Sequence, residues 1–228
     1  MNIGGIARTS TVDFPGRLSA VLFTNGCNYD CFYCHNRRLI SGGAPLDNAE
    51  IDAFLNARAG LLDGIVVSGG EPTLQPDIAE FFLKLKRLGY DTKLDTNGSR
   101  PKVVSELIEK KLLDYVAMDY KAPFDMYKEI CAQDADPEPV KQTLDILLGS
   151  GLDFELRTTV VPQLSPADLY RMAAAIPQVP RYILQPYKKP ELYRREHIFR
   201  IEATPYTEAQ LESMLESIRE VQPNASLR

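Results

Sequence analysis

Three of the chain's four cysteines, Cys27, Cys31 and Cys34, fall within eight residues, in the run C-N-Y-D-C-F-Y-C. Their spacing is C-x3-C-x2-C. In a reducing compartment, clustered thiols are read as metal ligands before disulfides. A structural zinc site takes four ligands, commonly in two pairs. His35 offers a fourth donor, but it adjoins Cys34, and zinc spacing usually leaves two or more residues between ligands. Cys131 lies far along the chain, where a lone cysteine reads as an ordinary buried thiol. Three thiolates can instead hold three irons of a cubane iron–sulfur cluster. The fourth iron then stays open to an outside ligand. An open metal position serves catalysis, whereas a saturated one serves structure or electron transfer. The residues alone leave both zinc and cluster in play.

The elements that must position this loop are regular. Six short apolar runs read as buried parallel strands: 19–25, 64–69, 91–96, 115–120, 154–161 and 182–187. Between them lie amphipathic helices with start and stop signals. Asp47 and Glu50 have capping-box spacing before Ile51, Phe54 and Leu55. Pro76 suits a first helical turn, with Ile78, Phe81, Phe82 and Leu85 on one stripe and Gly89 as the stop. Pro101 opens another helix; Gly149 and Gly151 close the next. Ser165-Pro166 opens one more, and Thr207 and Gln210 cap a last helix.

Strand–helix alternation implies a parallel sheet with right-handed crossovers. Eight such units usually need about 250 residues. Six units in 228 residues read as an α/β fold, either a partial (β/α)6 barrel or a doubly wound sheet. The expected organisation is one domain: an N-terminal segment 1–18, the βα units 19–187, and a basic stretch with a final helix, 188–228.

In such folds the site lies at the carboxyl ends of the strands. The cysteine loop follows the first strand at once. Ser68-Gly69-Gly70-Glu71-Pro72 follows the second, Asp95-Thr96-Asn97-Gly98 the third, and Asp119-Tyr120-Lys121 the fourth. Gly69 and Gly70 permit close backbone approach. On charge grounds Lys121 suits a carboxylate, and Asp95 and Asp119 suit a cation or an ammonium. The alternative for all three is a rim ion pair of little worth. Arg157 and Thr159 share one face of the fifth strand, and a buried Arg157 must be paired. Gln185 is a weaker candidate on the sixth.

The net charge of −5 excludes a general nucleic-acid binder. Lys188, Lys189, Arg194, Arg195 and Arg200 cluster locally, as a solvated face or as a docking edge for an acidic partner. No apolar run is long enough to cross a membrane. The first residues lack a signal peptide's apolar core, so a cytoplasmic location is expected. Two histidines and no Walker-type loop argue against a His-based hydrolase or a P-loop enzyme.

These motifs together resemble the radical S-adenosylmethionine (radical SAM) superfamily. The cysteine triplet matches its signature, including the aromatic Tyr33 before the last Cys. Gly69-Gly70-Glu71-Pro72 matches its G-G-E-P segment, and six βα units match its partial barrel. A narrower resemblance, to glycyl-radical-enzyme activases, rests on Thr11-Val12-Asp13-Phe14-Pro15-Gly16-Arg17, Cys34-His35-Asn36, Asp95-Thr96-Asn97-Gly98 and Asp119-Tyr120-Lys121. Within that group the chain is most similar to anaerobic ribonucleotide reductase activating proteins, with pyruvate formate-lyase activating enzymes close by.

The resemblance implies a [4Fe-4S] cluster on Cys27, Cys31 and Cys34, with S-adenosylmethionine on the open iron. Reductive cleavage would give methionine and a 5′-deoxyadenosyl radical. It implies Tyr33 near the adenine, or else packed in the loop. It puts Gly69 and Gly70 against the methionine amino group, with Glu71 steadying the turn. Asp95, Asp119 and Lys121 would surround the methionine end, with a monovalent cation near the aspartates. Arg157 would meet a carboxylate or the ribose. The implied partners are a glycyl radical enzyme, foremost anaerobic ribonucleotide reductase, and a flavodoxin or ferredoxin as electron donor. Asp13 and Arg17 either meet the incoming partner loop or close the core. His35 and Asn36 order the cluster loop. A small-molecule radical enzyme of the 7-carboxy-7-deazaguanine synthase kind is the alternative. An iron–sulfur electron carrier or a zinc-stabilised binding module is the non-enzymatic one.

Overall fold

Eight strands form one sheet in the computed structural model, which describes residues 1–132 and 134–228. The strands are β1 (Ile3–Ser10), β2 (Ser19–Thr24), β3 (Gly64–Gly69), β4 (Asp91–Thr96), β5 (Tyr115–Asp119), β6 (Phe154–Val160), β7 (Tyr182–Pro186) and β8 (Ala225–Leu227). They lie in sequence order. β1 pairs antiparallel with β2, and every other neighbouring pair is parallel. The sheet ends at β1 and β8, which do not pair with each other, so the barrel is partial and open. The six expected strands are β2 to β7, within a residue of the expected ends. β1 and β8 are additions at the two edges.

The longer connections are helical: α1 (Arg37–Ile40), α2 (Asn48–Arg58), α3 (Ile78–Arg87), α4 (Pro101–Glu109), α5 (Tyr127–Ile130), α6 (Glu138–Ser150), α7 (Pro166–Ala174), α8 (Ile198–Ile201) and α9 (Glu208–Arg219). Full capping boxes open α7, through Ser165 and Asp168, and α9, through Thr207 and Gln210. Two expected helix starts differ. Asp47 caps α2 by accepting from Ala49 N, with no return bond from Glu50. Pro76 stands outside α3, which begins at Ile78 after Asp77. The chain between β3 and α3 first makes a short 3-10 turn at Pro72–Leu74, and this pushes the helix start along.

Side chains alternate across each strand. The helix-facing set includes Ala20, Leu22, Ile65, Val67, Leu94, Val116, Met118 and Leu156, all buried in the main core. The opposite set faces the barrel lumen. Phe14, Val21, Val66 and Tyr115 form a separate apolar plug there. Phe14 comes from the T-V-D-F-P-G-R segment and packs on Tyr115, with ring centroids 6.0 Å apart. Arg17 lies over the Phe14 ring and pairs with Asp91 at 2.5 Å. Phe14 and Arg17 thus close the lumen's end. Farther along the strands the lumen-facing residues turn polar.

Candidate active site

The strand ends open into a cavity of about 330 Å³. Cys27, Cys31, Tyr33 and Cys34 line it from the loop after β2, and Gly69, Gly70 and Glu71 from the turn after β3. Asp95, Asp119, Lys121 and Arg157 line it from β4, β5 and β6. These residues therefore meet in one place with Asp13, His35, Asn36, Thr159 and Gln185, whereas Arg17 lies away from it beside Phe14 and Asp91.

The turn after β3 is sewn to the cysteine loop by backbone. Gly70 N donates to Thr24 O at 2.9 Å, and Glu71 N donates to Gly26 O at 2.7 Å. Gly69 has φ +118°, and a Cβ there would lie 2.3 Å from Thr24 N. A Cβ on Gly70 would lie 2.0 Å from Gly26 O. Backbone holds both contacts, so neither can yield cheaply. Gly70→Ala is expected to lose about 3 kcal/mol of stability, read from the urea midpoint. Gly149→Ala, in α6 with open space around its Cβ, should be neutral or gain up to about 1 kcal/mol. Equal midpoints for the two variants would remove the close approach as a constraint.

Glu71 is fully buried and ties the turn to the next strand. Its carboxylate accepts from Asn97 N at 2.7 Å, Thr96 Oγ1 at 2.8 Å, Thr73 N at 3.1 Å and the Thr73 hydroxyl. Burial nonetheless leaves its pKa raised. Asn97 reaches back to Asn28 of the cysteine loop at 3.0 Å. Asn36 Nδ2 donates to Gly69 O at 3.4 Å. His35 is exposed at the cavity mouth.

Across the lumen runs a chain of charge. Lys93, wholly buried, donates to Asp95 at 2.6 Å. Arg157 bridges Asp95 at 3.1 Å and Asp119 at 3.2 Å. Lys121 holds the other oxygen of Asp119 at 2.9 Å. These pairs are largely shielded, not the solvated rim pairs that the sequence also allowed. Burial alone would raise Asp95; Arg157 and Lys93 outweigh it and bring its pKa down to about 2. Asp119 is lowered by Lys121 and Arg157 against burial in the same way. Burial opposes the charge on Lys121, and Asp119 restores it well above its usual range. The two aspartates thus share three cations, with Arg157 common to both.

The sign of the pH effect follows. Asp95 titrates lower folded than unfolded. Its stabilisation is full above pH about 4 and is lost as pH falls toward 2. The contribution is about 2 kcal/mol. Unfolding of the metal-free chain between pH 5 and 2 should steepen by that amount, and Asp95→Asn should remove the extra slope. An unchanged slope in Asp95→Asn would contradict the assignment.

The thiols are free. Burial pushes Cys27 up to about 12 and raises Cys34. Cys31 is lowered, first by a hydrogen bond from Cys131, against burial. Cys131 is buried, as expected, but it lies against Cys31 rather than elsewhere in the core. It does not line the cavity. Among the described residues, no three Cys, His, Asp or Glu side chains converge on one point as the ligands of a single ion do. A cubane cluster takes each thiolate on a different iron, and three sulfurs lining one cavity fit it.

A family model described as the radical SAM superfamily matches residues 21–176. The chain belongs to the radical SAM superfamily. Membership implies a [4Fe-4S] cluster and S-adenosylmethionine. A protein of Methanocaldococcus jannaschii with the provisional name glycyl-radical enzyme activating enzyme is 38% identical over 205 residues, covering 85% of this chain and 83% of that one. The chain thereby falls among the glycyl-radical-activating radical SAM enzymes. A pyruvate formate-lyase-activating enzyme of Staphylococcus aureus is 36% identical over 108 residues, 42% of this chain and 41% of that enzyme. The structure of SuiB from Streptococcus suis, bound to precursor peptide SuiA, superposes with TM-score 0.66 at 16% identity, over 91% of this chain and 48% of that one. It shares the radical SAM fold.

The structure adds two features to this radical SAM site. Lys93 is the inner end of the charge chain; the alternation of Lys93 with Asp95 on one strand was its only signal. The basic cluster also reaches the site's wall. Arg194 pairs with Asp30 of the cysteine loop, and Arg200 stacks 4.0 Å over the Phe32 ring. Tyr33 lines the cavity and also packs edge-on against Phe32.

Proposed function

We propose that this enzyme generates a glycyl radical on a larger partner enzyme, most closely of the anaerobic ribonucleotide reductase kind. The observation that carries the reading is the cavity: three free thiols, the double-glycine turn and a lumen charge chain meet at the strand ends. The similarity to the M. jannaschii protein supports the choice of a protein substrate over a small molecule.

Cys27, Cys31 and Cys34 would hold the cluster as its three protein ligands. When bound, cluster and S-adenosylmethionine supply a one-electron reductive cleavage that yields a 5′-deoxyadenosyl radical. The chain's own residues bind, orient and exclude water. Gly69 and Gly70 let backbone approach the methionine amino group. Glu71 holds that turn through its four accepted hydrogen bonds. Lys121 and Arg157 present positive charge to the methionine carboxylate, and Asp95 and Asp119 keep them charged and aimed. Tyr33 walls the adenine side. No side chain needs to abstract the hydrogen. Glycine suits the partner because flanking amides stabilise its α-radical. A cytoplasmic location and a flavodoxin or ferredoxin donor belong to the same proposal.

The test is anaerobic incubation of the reconstituted protein with S-adenosylmethionine, reductant and a glycyl radical enzyme. Electron paramagnetic resonance should show a glycyl signal. Cleavage of S-adenosylmethionine with no such signal in any candidate partner would favour the small-molecule reading.

A further inference from the structure

The chain between β7 and α9 forms an outer wall on the cysteine loop. Arg194 pairs with Asp30, and the Arg200 guanidinium covers the Phe32 ring. His197 meets the same ring edge-on, with centroids 6.2 Å apart. Phe32 stands between Cys31 and Tyr33, so this wall is the protein's layer over the back of the thiol loop. No residue of the wall lines the cavity.

The same segment exposes both apolar and basic side chains. Phe199 is 88% exposed, more than any other large apolar side chain found exposed. Ile198 and Leu192 are exposed beside it in sequence. Between Lys188 and Glu202 stand five Lys or Arg against three Glu, in a chain whose net charge is −5. Arg194, Arg200 and Lys189 are engaged, the last with Glu202. Lys188 and Arg195 are exposed, with no ion pair among the described residues. An exposed aromatic costs solubility and packs nothing here, and isolated basic charges on an acidic protein mark one face electrostatically.

We propose that this face docks an acidic one-electron carrier protein that reduces the cluster; the inference rests on the radical SAM reading above. The carrier gives up one electron and the cluster gains it, with no atom transferred. Electron transfer weakens steeply with distance, so the carrier must sit on the loop's wall rather than elsewhere on the barrel. Charge complementarity selects an acidic partner. A few exposed apolar side chains among charged ones suit a transient redox contact, which buries less surface than a stable complex.

Oxidised flavodoxin and a bacterial-type ferredoxin serve as probes, each measured by surface plasmon resonance against the reconstituted protein. At least one should bind, and Phe199→Ala combined with Lys188→Glu and Arg195→Glu should weaken it at least tenfold. Binding to the native chain should weaken with salt, and to the variant much less. Dithionite, which needs no docking, should reduce the cluster and drive S-adenosylmethionine cleavage equally in both proteins. That control separates the two claims: if dithionite drives no cleavage in the native chain, the radical SAM reading fails whatever the binding shows. Unchanged carrier affinity in the triple variant overturns the docking proposal. So does failure of both probes to bind the native chain, or a loss of glycyl-radical partner binding with carrier binding intact.

Discussion

Alanine at any one of Cys27, Cys31 or Cys34 abolishes reductive cleavage of S-adenosylmethionine, while Cys131→Ala leaves it. The three thiols line one cavity and Cys131 does not, although it touches Cys31. Counting sulfurs alone would make Cys131 a fourth ligand and close the cluster. Its burial on the far side of Cys31 argues otherwise. The check is iron and sulfide content after anaerobic reconstitution, together with methionine release. Each of the three variants should lose both the bound cluster and the product. Cys131→Ala should retain four irons per chain, since a cubane needs no more than three protein ligands when the fourth is external. Equal iron loss in Cys131→Ala would mean a saturated cluster, with no position left for the substrate.

The second large effect is at Arg157. Arg157→Ala strands Asp95 and Asp119, whose shielded carboxylates now face one another with only Lys93 and Lys121 beside them. Removing one member of a buried ion pair costs about 3–5 kcal/mol. The midpoint of urea unfolding should fall accordingly. Arg157→Lys should recover only part of the loss, because one ammonium cannot bridge two carboxylates as a guanidinium fork does. The variant's affinity for S-adenosylmethionine should fall as well, through loss of positive charge at the cavity. A full rescue by Lys would show that charge alone, without the fork, holds the network.

How far the sequence foretold this differs by region. The cysteine loop, the double-glycine turn and the strand-end aspartates were legible because each follows its strand directly, and the rule for parallel sheets gathers strand ends. β2 to β7 were legible as dense apolar runs. β1 was not: I-G-G-I-A-R-T-S carries two glycines and no continuous apolar stretch, and it pairs antiparallel at an edge. β8 has three residues, too short for any pattern. Lys93 was hidden because a lysine in a strand reads as solvent-facing unless the barrel lumen is known to hold its carboxylate. The basic cluster was legible, but its contact with the cysteine loop was hidden for a related reason. Arg194 and Asp30 are far apart in sequence, and only the return of the chain over the cysteine loop brings them together. The segment carrying Asp13 and Arg17 was read either as partner-facing or as core-closing, and its Phe14 is buried against Tyr115. Asp13 lines the cavity mouth and keeps the other role open to experiment.

The most direct test uses isotope. A glycyl radical enzyme partner is prepared with α-deuterated glycine and incubated anaerobically with the reconstituted protein, reductant and S-adenosylmethionine. The 5′-deoxyadenosine released is then analysed by mass spectrometry. Deuterium in its 5′ methyl group is the expected result, because the hydrogen comes from the partner's backbone glycine. 5′-Deoxyadenosine free of deuterium, formed at the same rate with or without the partner, would contradict glycyl-radical generation by this enzyme.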